Sequence, residues 1–291
     1  MVESRNYNVA GLGFSIEGET DVLELLTNYH PFRVEQPIEP MLFRLVLGEV
    51  EQDSTMEHVF TDTSDDDMPR IEVYHVGQDW QIQIAMFKSS PICATMRVSA
   101  DFSQVRLQAD PNAIKFAIDN AAMLIYAFSA ADKGVLEMHA SVTVKDGKGF
   151  LFLGRSGTGK STHSRLWLET FKDAWLLNDD NPVVRLLPNN EVHVYGSPWS
   201  GKTPCYINRE VPVGGIVKLT QAPANAIHAL PLPEAYAYML ASSSGLKILP
   251  SMMDALYNTI ASVIQIIPVQ GLECLPDKEA ALLCESTVNN K

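Results

Sequence analysis

One stretch of the chain has the residue types and spacing of a phosphate-binding loop. It fits the pattern G-x-x-x-x-G-K-[ST] without a gap: Gly154, Arg155, Ser156, Gly157, Thr158, Gly159, Lys160 and Ser161, followed by Thr162. Glycines let the main chain approach phosphate oxygens, and successive N–H groups and a helix N-terminus attract an anion. Lys160 would place its charge against the β- and γ-phosphates, and Ser161 would offer a hydroxyl to Mg²⁺. We predict that these nine residues bind a nucleoside triphosphate.

A pair of carboxylates follows this loop along the chain. Asp179 and Asp180 come after the apolar run Ala174–Leu177, so both should lie at the end of a strand, where a P-loop needs a metal partner. Adjacent side chains in a strand point in opposite directions, so the two carboxylates should have different roles. One would bind or orient Mg²⁺, and the other would take the proton of an attacking hydroxyl. A solvated turn is the alternative interpretation of this polar sequence.

Other polar groups could join this site. His139 could contact a phosphate or polarise a catalytic aspartate, or it could be a hydrogen-bonded structural histidine. The loop Tyr195–Lys202 could cover the phosphates with Lys202 as a second cation, or it could be a connector with Trp199 packed inward. Arg209 is a candidate for stabilising charge on the γ-phosphate. No N-K-x-D guanine signature is present, which favours ATP.

The elements that must position these residues indicate an α/β chain, α+β overall. Residues 1–110 read mostly as strands, as in the alternation of Trp80–Met86, and predict a β-rich N-terminal domain of unknown role. Residues 111–291 predict the P-loop domain with helices at its C-terminal end. Three ranges there set the frame of the site: a helix from Asn112, a strand over Val135–Lys145 and a short strand Phe150–Leu153. Further predicted helices are Asp21–Asn28, Ser161–Thr170, Pro233–Ser243, Ser251–Ile266 and Asp277–Cys284. Further predicted strands are Leu42–Val50, Ile71–Val76, Ala94–Leu107, Trp175–Leu177, Val183–Leu187 and Gly215–Leu219.

The composition excludes several broad classes of function. The 291 residues carry 35 acidic and 22 basic side chains, and the net charge of −13 argues against a nucleic-acid-binding face. The four cysteines show no CxxC pair, which is typical of reduced thiols rather than of a zinc site: Cys93, Cys205, Cys274 and Cys284. No signal peptide is visible, and Ala121–Ala131 and Leu256–Val269 are too short to span a bilayer. We expect a soluble cytoplasmic protein that binds neither nucleic acid nor membrane, with the acidic run Asp65–Asp67 in a solvated loop rather than a metal site.

The stretch Leu151–Thr162, followed by Leu177–Asp180, resembles the phosphoenolpyruvate carboxykinase superfamily and, within it, HPr kinase/phosphorylase-like proteins. These proteins share a His-containing strand (here Met138–Ser141), a Gly-containing hairpin, the P-loop and an aspartate pair. The resemblance covers roughly residues 135–285. It is closest to a divergent group often associated with peptide-modification gene clusters, which has a loop similar to Tyr195–Gly201.

This resemblance implies a carboxykinase-type P-loop domain in which Asp180 is a metal ligand with Ser161, and Asp179 accepts the proton of a serine hydroxyl. The C-terminal signature with which HPr kinases recognise HPr is not found here, and Thr162 stands where they often have Glu. This departure argues against HPr as substrate and against phosphorylase activity.

We predict an ATP- and Mg²⁺-dependent kinase with Lys160, Asp179 and His139 as catalytic residues and a serine on a protein or peptide as acceptor. Two alternatives stay open: an accessory protein that binds the nucleotide without turnover, and a small-molecule kinase. A homo-oligomer also stays open, because HPr kinases are oligomers.

Overall fold

The computed structural model describes residues 1–51, 55–62, 69–201 and 203–289. The acidic run Asp65–Asp67 and the candidate cation Lys202 lie outside these residues. The chain divides into two compact units, Met1–Ser129 and Ala130–Lys291. The predicted domain boundary between residues 110 and 111 lies instead within the first unit, just before its long helix.

The first unit is built on one mixed sheet. Within the described residues its strands are β1 Val2–Val9, β2 Leu12–Glu19, β3 Arg33–Val34, β4 Met41–Leu47, β5 Glu57–Asp62, β6 Arg70–Val76, β7 Asp79–Ala85, β8 Ile92–Val98 and β9 Gln104–Ala109. Their order across the sheet is β3-β1-β2-β4-β9-β8-β7-β6-β5. The pairs β2–β4 and β4–β9 are parallel, and the others are antiparallel. This β-rich sheet agrees with the period-2 pattern of the N-terminal sequence.

The helices of this unit are α1 Thr20–Glu24 and α2 Ile114–Ala130, with short 3-10 helices at Thr27–Phe32 and Pro111–Ala113. The helical run Pro111–Lys133 is long and apolar enough, by length and composition alone, to cross a membrane. Most of its apolar residues, however, are buried, and the Tyr126 hydroxyl donates to the Val9 carbonyl at 3.0 Å. It is therefore the core helix of the first unit.

The second unit holds another mixed sheet. Its strands in the described residues are β10 Val135–Glu137, β11 Ala140–Lys145, β12 Lys148–Leu153, β13 Trp175–Asp180, β14 Val183–Leu186, β15 Val192–Tyr195, β16 Glu210–Gln221, β17 Ala226–Ala229 and β18 Val269–Cys274. The main path runs β10-β14-β15-β16-β12-β11-β13, and β18 pairs with β16 and β17. The pairs β12–β16 and β16–β18 are parallel. The helices are α3 Lys160–Thr170, α4 Leu232–Ser242, α5 Pro250–Ile266 and α6 Lys278–Val288, preceded by a 3-10 helix at Ala131–Lys133.

The core beneath α3 explains how the P-loop is fixed. Phe150 and Phe152 on β12 are fully buried, and both rings pack against the fully buried Trp167 of α3. Leu219 on β16 and Cys284 on α6 belong to the same cluster. Burial of large aromatic side chains contributes most to such a core. The strand and the helix on either side of the loop are thus held by one hydrophobic cluster.

Three element predictions were wrong in detail. The single strand expected over Val135–Lys145 is two strands, because β10 pairs with β14 whereas β11 pairs with β12 and β13. Residues Met138 and His139 lie in the break, where the His139 N–H donates to the Ser242 carbonyl at 2.7 Å. The strand expected over Ala94–Leu107 is the hairpin β8–β9. The helix expected over Asp21–Asn28 is α1 followed by a 3-10 turn.

Candidate functional site

The predicted phosphate-binding loop lies between β12 and α3. Gly157 and Gly159 have φ angles of 76° and 107°, which residues other than glycine rarely adopt. The Thr158 N–H and hydroxyl both donate to the Arg155 carbonyl, at 3.1 and 2.7 Å, and close a tight turn. The N-cap residue of α3 is Gly159, which has no side chain to cap the helix, and the N-terminal N–H groups of a helix attract an anion. The loop has the strand–loop–helix setting that phosphate binding requires.

Lys160 reaches back over this loop. Its side chain is largely buried, its Nζ donates to the Gly154 carbonyl at 2.9 Å, and Nζ lies 3.0 Å from His139 Nε2. The sequence motif alone did not link Lys160 to His139. The break between β10 and β11 brings this histidine to the loop.

Ser161 lies beside the first aspartate of the pair. Its hydroxyl donates to Asp179 Oδ1 at 3.0 Å, and the Asp179 side chain is buried. In P-loop proteins, this serine position and a strand-end carboxylate share the magnesium of the bound nucleotide. The contact links Ser161 to Asp179, whereas the sequence analysis grouped Ser161 with Asp180.

The second aspartate lies beside the histidine. Asp180 Oδ1 is 3.2 Å from His139 Nε2, the same nitrogen that Lys160 approaches, and both side chains are about one-third exposed. With its proton on Nδ1 the imidazole accepts from Lys160 through Nε2, whereas with a proton on Nε2 it donates to Asp180. The Nε2 atom can therefore serve Lys160 or Asp180, but not both at once.

The backbone at Asp180 explains why the two carboxylates diverge. Its φ angle of 143° is one that residues other than glycine rarely adopt. The Gly201 N–H donates to the Asp179 carbonyl at 2.7 Å, and a Cβ on Gly201 would lie 3.0 Å from the Asp180 Cβ. Gly201 therefore permits the close approach that holds this strand end in its unusual conformation.

Asn178 anchors the loop after β15. It is fully buried, and its Nδ2 donates to Ser197 Oγ at 3.2 Å and to the Trp199 carbonyl at 3.0 Å. Trp199 itself is buried, as in the connector interpretation of this loop. These hydrogen bonds thus fix the loop against β13, the strand that carries the two aspartates. Since Lys202 lies outside the described residues, the structure does not address its expected contact with phosphate.

Arg209, the candidate cation for the γ-phosphate, contacts an aromatic ring at the start of β13. Its guanidinium lies 5.7 Å from the centre of the Trp175 ring. Trp175 begins β13, and Asp179 follows four residues later, about 13 Å along an extended strand. A cation–π contact thus holds the Arg209 side chain at the Trp175 end of this strand, and its role in stabilising charge on the γ-phosphate stays a prediction.

Glu137 is a buried acid within the strand that was predicted over Val135–Lys145. Its side chain is 1% exposed, and neither carboxylate oxygen has a well-aligned hydrogen-bond partner among the described residues. Burial raises the pKa of Glu137 to about 8, and the charge of Asp180 adds to this effect. Ser244 and Lys247 favour the ionised form but are outweighed. Its position on an apolar strand, two residues before His139, is the sequence signal that could have identified it as part of the site.

The donor set of the site is small. Among the described residues, no group of three or more His, Cys, Asp or Glu side chains is placed to hold a metal ion. Magnesium in nucleotide sites is held by one or two protein oxygens, phosphates and water. The buried Asp179 carboxylate and the Ser161 hydroxyl, 3.0 Å apart, fit this requirement. The site therefore suits a metal that arrives with a nucleotide.

Comparison with known proteins gives one family. The profile of the family described as SynChlorMet cassette protein ScmC matches residues 103–264, more than half of the chain. No curated protein matches the chain. A solved structure described as the Hpr(Ser) kinase/phosphatase from Coxiella burnetii is similar at 16% identity and a TM-score of 0.30, over 52% of this chain and 87% of that chain. This likeness says nothing about the substrate or activity of the present chain.

Proposed function

This chain belongs to the ScmC family, and we propose that it is an ATP- and Mg²⁺-dependent phosphotransferase. It would move the γ-phosphoryl group of ATP to the hydroxyl of a serine on a peptide or protein. The observation that carries the proposal is the convergence of a complete P-loop with two carboxylates and a histidine. Lys160 lies 3.0 Å from His139, Ser161 lies 3.0 Å from Asp179, and Asp180 lies 3.2 Å from His139. A P-loop that only binds nucleotide does not need a histidine–carboxylate pair at this place.

The loop would hold the triphosphate. The main-chain N–H groups of residues 154–159 and the start of α3 bind the phosphate oxygens. Lys160 would exchange its present contacts with Gly154 and His139 for the β- and γ-phosphates. Release of Lys160 from His139 then leaves Nε2 of the imidazole able to take part in proton transfer.

The contacts favour a division of roles between the aspartates that is the reverse of the sequence-based expectation. Asp179 is buried and bonded to Ser161, so it suits the metal side of the site. Asp180 is partly exposed and lies against His139, so it suits the acceptor side. Mg²⁺, when bound, would neutralise charge on the β- and γ-phosphates, with Ser161 and Asp179 as the residues that hold it.

The transfer itself needs only a proton acceptor and alignment. The acceptor oxygen forms a bond to the γ-phosphorus while the bond from that phosphorus to the oxygen bridging the β-phosphate breaks, and ADP leaves. The proton of the attacking hydroxyl passes to the Asp180 carboxylate, next to His139. Position and electrostatics supply most of the rate enhancement in this class of reaction.

The proposed fold of the nucleotide-binding domain is the carboxykinase-type P-loop domain. The order β12, P-loop and α3 supports it, as do the neighbouring parallel pairs of β12 with β16 and β16 with β18. Nothing in the charge or the described surface points to nucleic acid. We retain the cytoplasm as the proposed location of the protein.

Two isosteric variants test the proposed roles. Asp180→Asn should lower the transfer rate by roughly 10²- to 10⁴-fold, the usual effect of losing a general base, with ATP affinity changed less than about threefold. Asp179→Asn should weaken ATP binding only when Mg²⁺ is present. The assay combines calorimetric ATP titration, with and without Mg²⁺, and radiolabel transfer from ATP to a serine-containing peptide library or cell extract. If Asp179→Asn loses transfer and Asp180→Asn instead loses Mg²⁺-dependent ATP binding, Asp179 is the base, as the sequence predicted. If both variants transfer phosphate at the wild-type rate, the proposed chemistry is wrong.

A further inference from the structure

A cavity lies beside the P-loop, and Asp179 and Asp180 do not line it. It has a volume of about 400 Å³ and is lined by Gly157, Thr158, Gly159, Thr162, His163, Leu166, Leu219, Gln221, Ala222, Cys274, Leu275 and Pro276. The first four of these residues belong to the phosphate-binding motif or follow it directly. The cavity is therefore continuous with the place where a phosphate chain would lie. Neither His139 nor the aspartate pair contributes to its wall.

The wall of this cavity is uncharged. Among the described residues that line it, none is Asp, Glu, Lys or Arg. Burial lowers the pKa of His163 to about 4, so its imidazole is neutral at physiological pH. Apolar surface comes from Leu166 on α3, Leu219 on β16 and Leu275 just after β18. Such a wall disfavours phosphate and suits a flat, neutral heteroaromatic ring, and the volume is in the ordinary range for small-molecule pockets.

The rim of the cavity is held in place by hydrogen bonds. Gln221 Nε2, at the end of β16, donates to the Gly157 carbonyl at 3.2 Å and makes a longer contact of 3.4 Å with the Thr158 carbonyl. Its side-chain carbonyl is an acceptor suited to an exocyclic amino group. On the other side, the Leu275 N–H donates to Asn225 Oδ1 at 2.8 Å, and Asn225 Nδ2 donates to Asp277 Oδ1 at 2.9 Å. The pocket is thus built before any ligand arrives.

We propose that this cavity binds the purine base of the nucleotide whose triphosphate lies in the P-loop, with adenine as the base. The inference rests on the proposed function and extends it from the phosphates to the base. Gln221 would link the two subsites, because one amide contacts both the loop and the ring. The base would pack against Leu166 and Leu275, and Cys274 would be covered by it.

Cys274 provides a direct test in the unaltered protein. It lines the cavity and is partly exposed, and burial together with Asp277 raises the pKa of its thiol, so labelling is carried out at pH 8.5. N-ethylmaleimide modification is followed by mass spectrometry with Mg²⁺ plus saturating ATP, or with Mg²⁺ plus saturating inorganic tripolyphosphate. Binding of each ligand is measured first by calorimetry. Cys93, a partly exposed thiol of the first unit, is the internal control.

The expected result is at least tenfold slower labelling of Cys274 with ATP, less than a twofold change with tripolyphosphate, and no change at Cys93. Ala222→Trp, which fills the cavity, should weaken ATP binding at least tenfold and leave tripolyphosphate binding unchanged. Leu282→Trp, at an exposed position of α6, is the matched control. Equal protection by both ligands, or ATP binding without protection, overturns the base pocket alone. If neither ligand binds, the proposed function falls with it.

Discussion

Replacement of Glu137 by Gln should change how the stability of the protein depends on pH. Glu137 is 1% exposed, and burial with the nearby Asp180 charge raises its pKa from 4.5 to about 8. At 1.36 kcal/mol per pH unit, a rise of this size corresponds to about 5 kcal/mol at most. Glutamine keeps the shape of the side chain but cannot ionise, so it removes this contribution.

The sign follows from where each state holds the proton. Between pH 4.5 and about 8 the folded protein keeps Glu137 protonated, whereas the unfolded chain has lost that proton. The contribution of this group is fully present below pH 4.5 and is lost as pH rises through about 8. The wild type should therefore lose stability with rising pH relative to Glu137→Gln, by several kcal/mol between pH 5 and pH 9.

The assay is urea unfolding at pH 5, 7 and 9, followed by tryptophan fluorescence, for wild type, Glu137→Gln and the control Glu234→Gln. Glu234 lies on the exposed start of α4. We expect the difference in free energy of unfolding between Glu137→Gln and wild type to grow with pH, and that for the control to stay flat within about 0.5 kcal/mol. A flat difference for Glu137→Gln would show that folding does not raise the pKa of this acid and would overturn the prediction.

Two other predictions concern the stability of the second unit. Gly196→Ala should destabilise the protein by several kcal/mol in urea unfolding, because its Cβ would lie 1.9 Å from the Ile207 carbonyl oxygen, whereas Gly147→Ala, in an open turn, should cost about 1 kcal/mol; equal costs would contradict this. His163→Gln should remove a loss of up to about 3 kcal/mol that the wild type suffers as pH falls from 6.5 towards 4, because the unfolded histidine gains a proton that the buried one does not. Parallel pH–stability curves for His163→Gln and wild type would count against that assignment.

The P-loop was the part of the site most open to sequence reasoning. Glycines, Lys160 and Ser161 at fixed spacing after a short apolar strand are informative because each residue type has a defined role in binding phosphate or Mg²⁺. The strand Phe150–Leu153 was predicted from its short, wholly apolar run, and the helix Ser161–Thr170 from the helix-compatible sequence after the loop. These are local features, and no distant contact is needed to recognise them.

The features that sequence reasoning missed depend on contacts between distant residues. The alternation over Val135–Lys145 did not reveal that the strand breaks at His139, because the break arises from pairing of β10 with β14 and of β11 with β13. Asp179 and Asp180 were expected to diverge, but their partners depend on the unusual φ angle at Asp180. Arg209 was assigned by its position in the sequence near a glycine-rich loop, and only the structure places it against Trp175.

Both proposals require that the loop around Lys160 binds a nucleoside triphosphate. Calorimetric titration of MgATP into wild type and Lys160→Ala measures this binding, with circular dichroism to show that both proteins are folded. We expect saturable binding by the wild type and at least a tenfold weaker affinity for Lys160→Ala. Equal affinity in the two proteins, or no binding of MgATP by the folded wild type, would contradict this expectation.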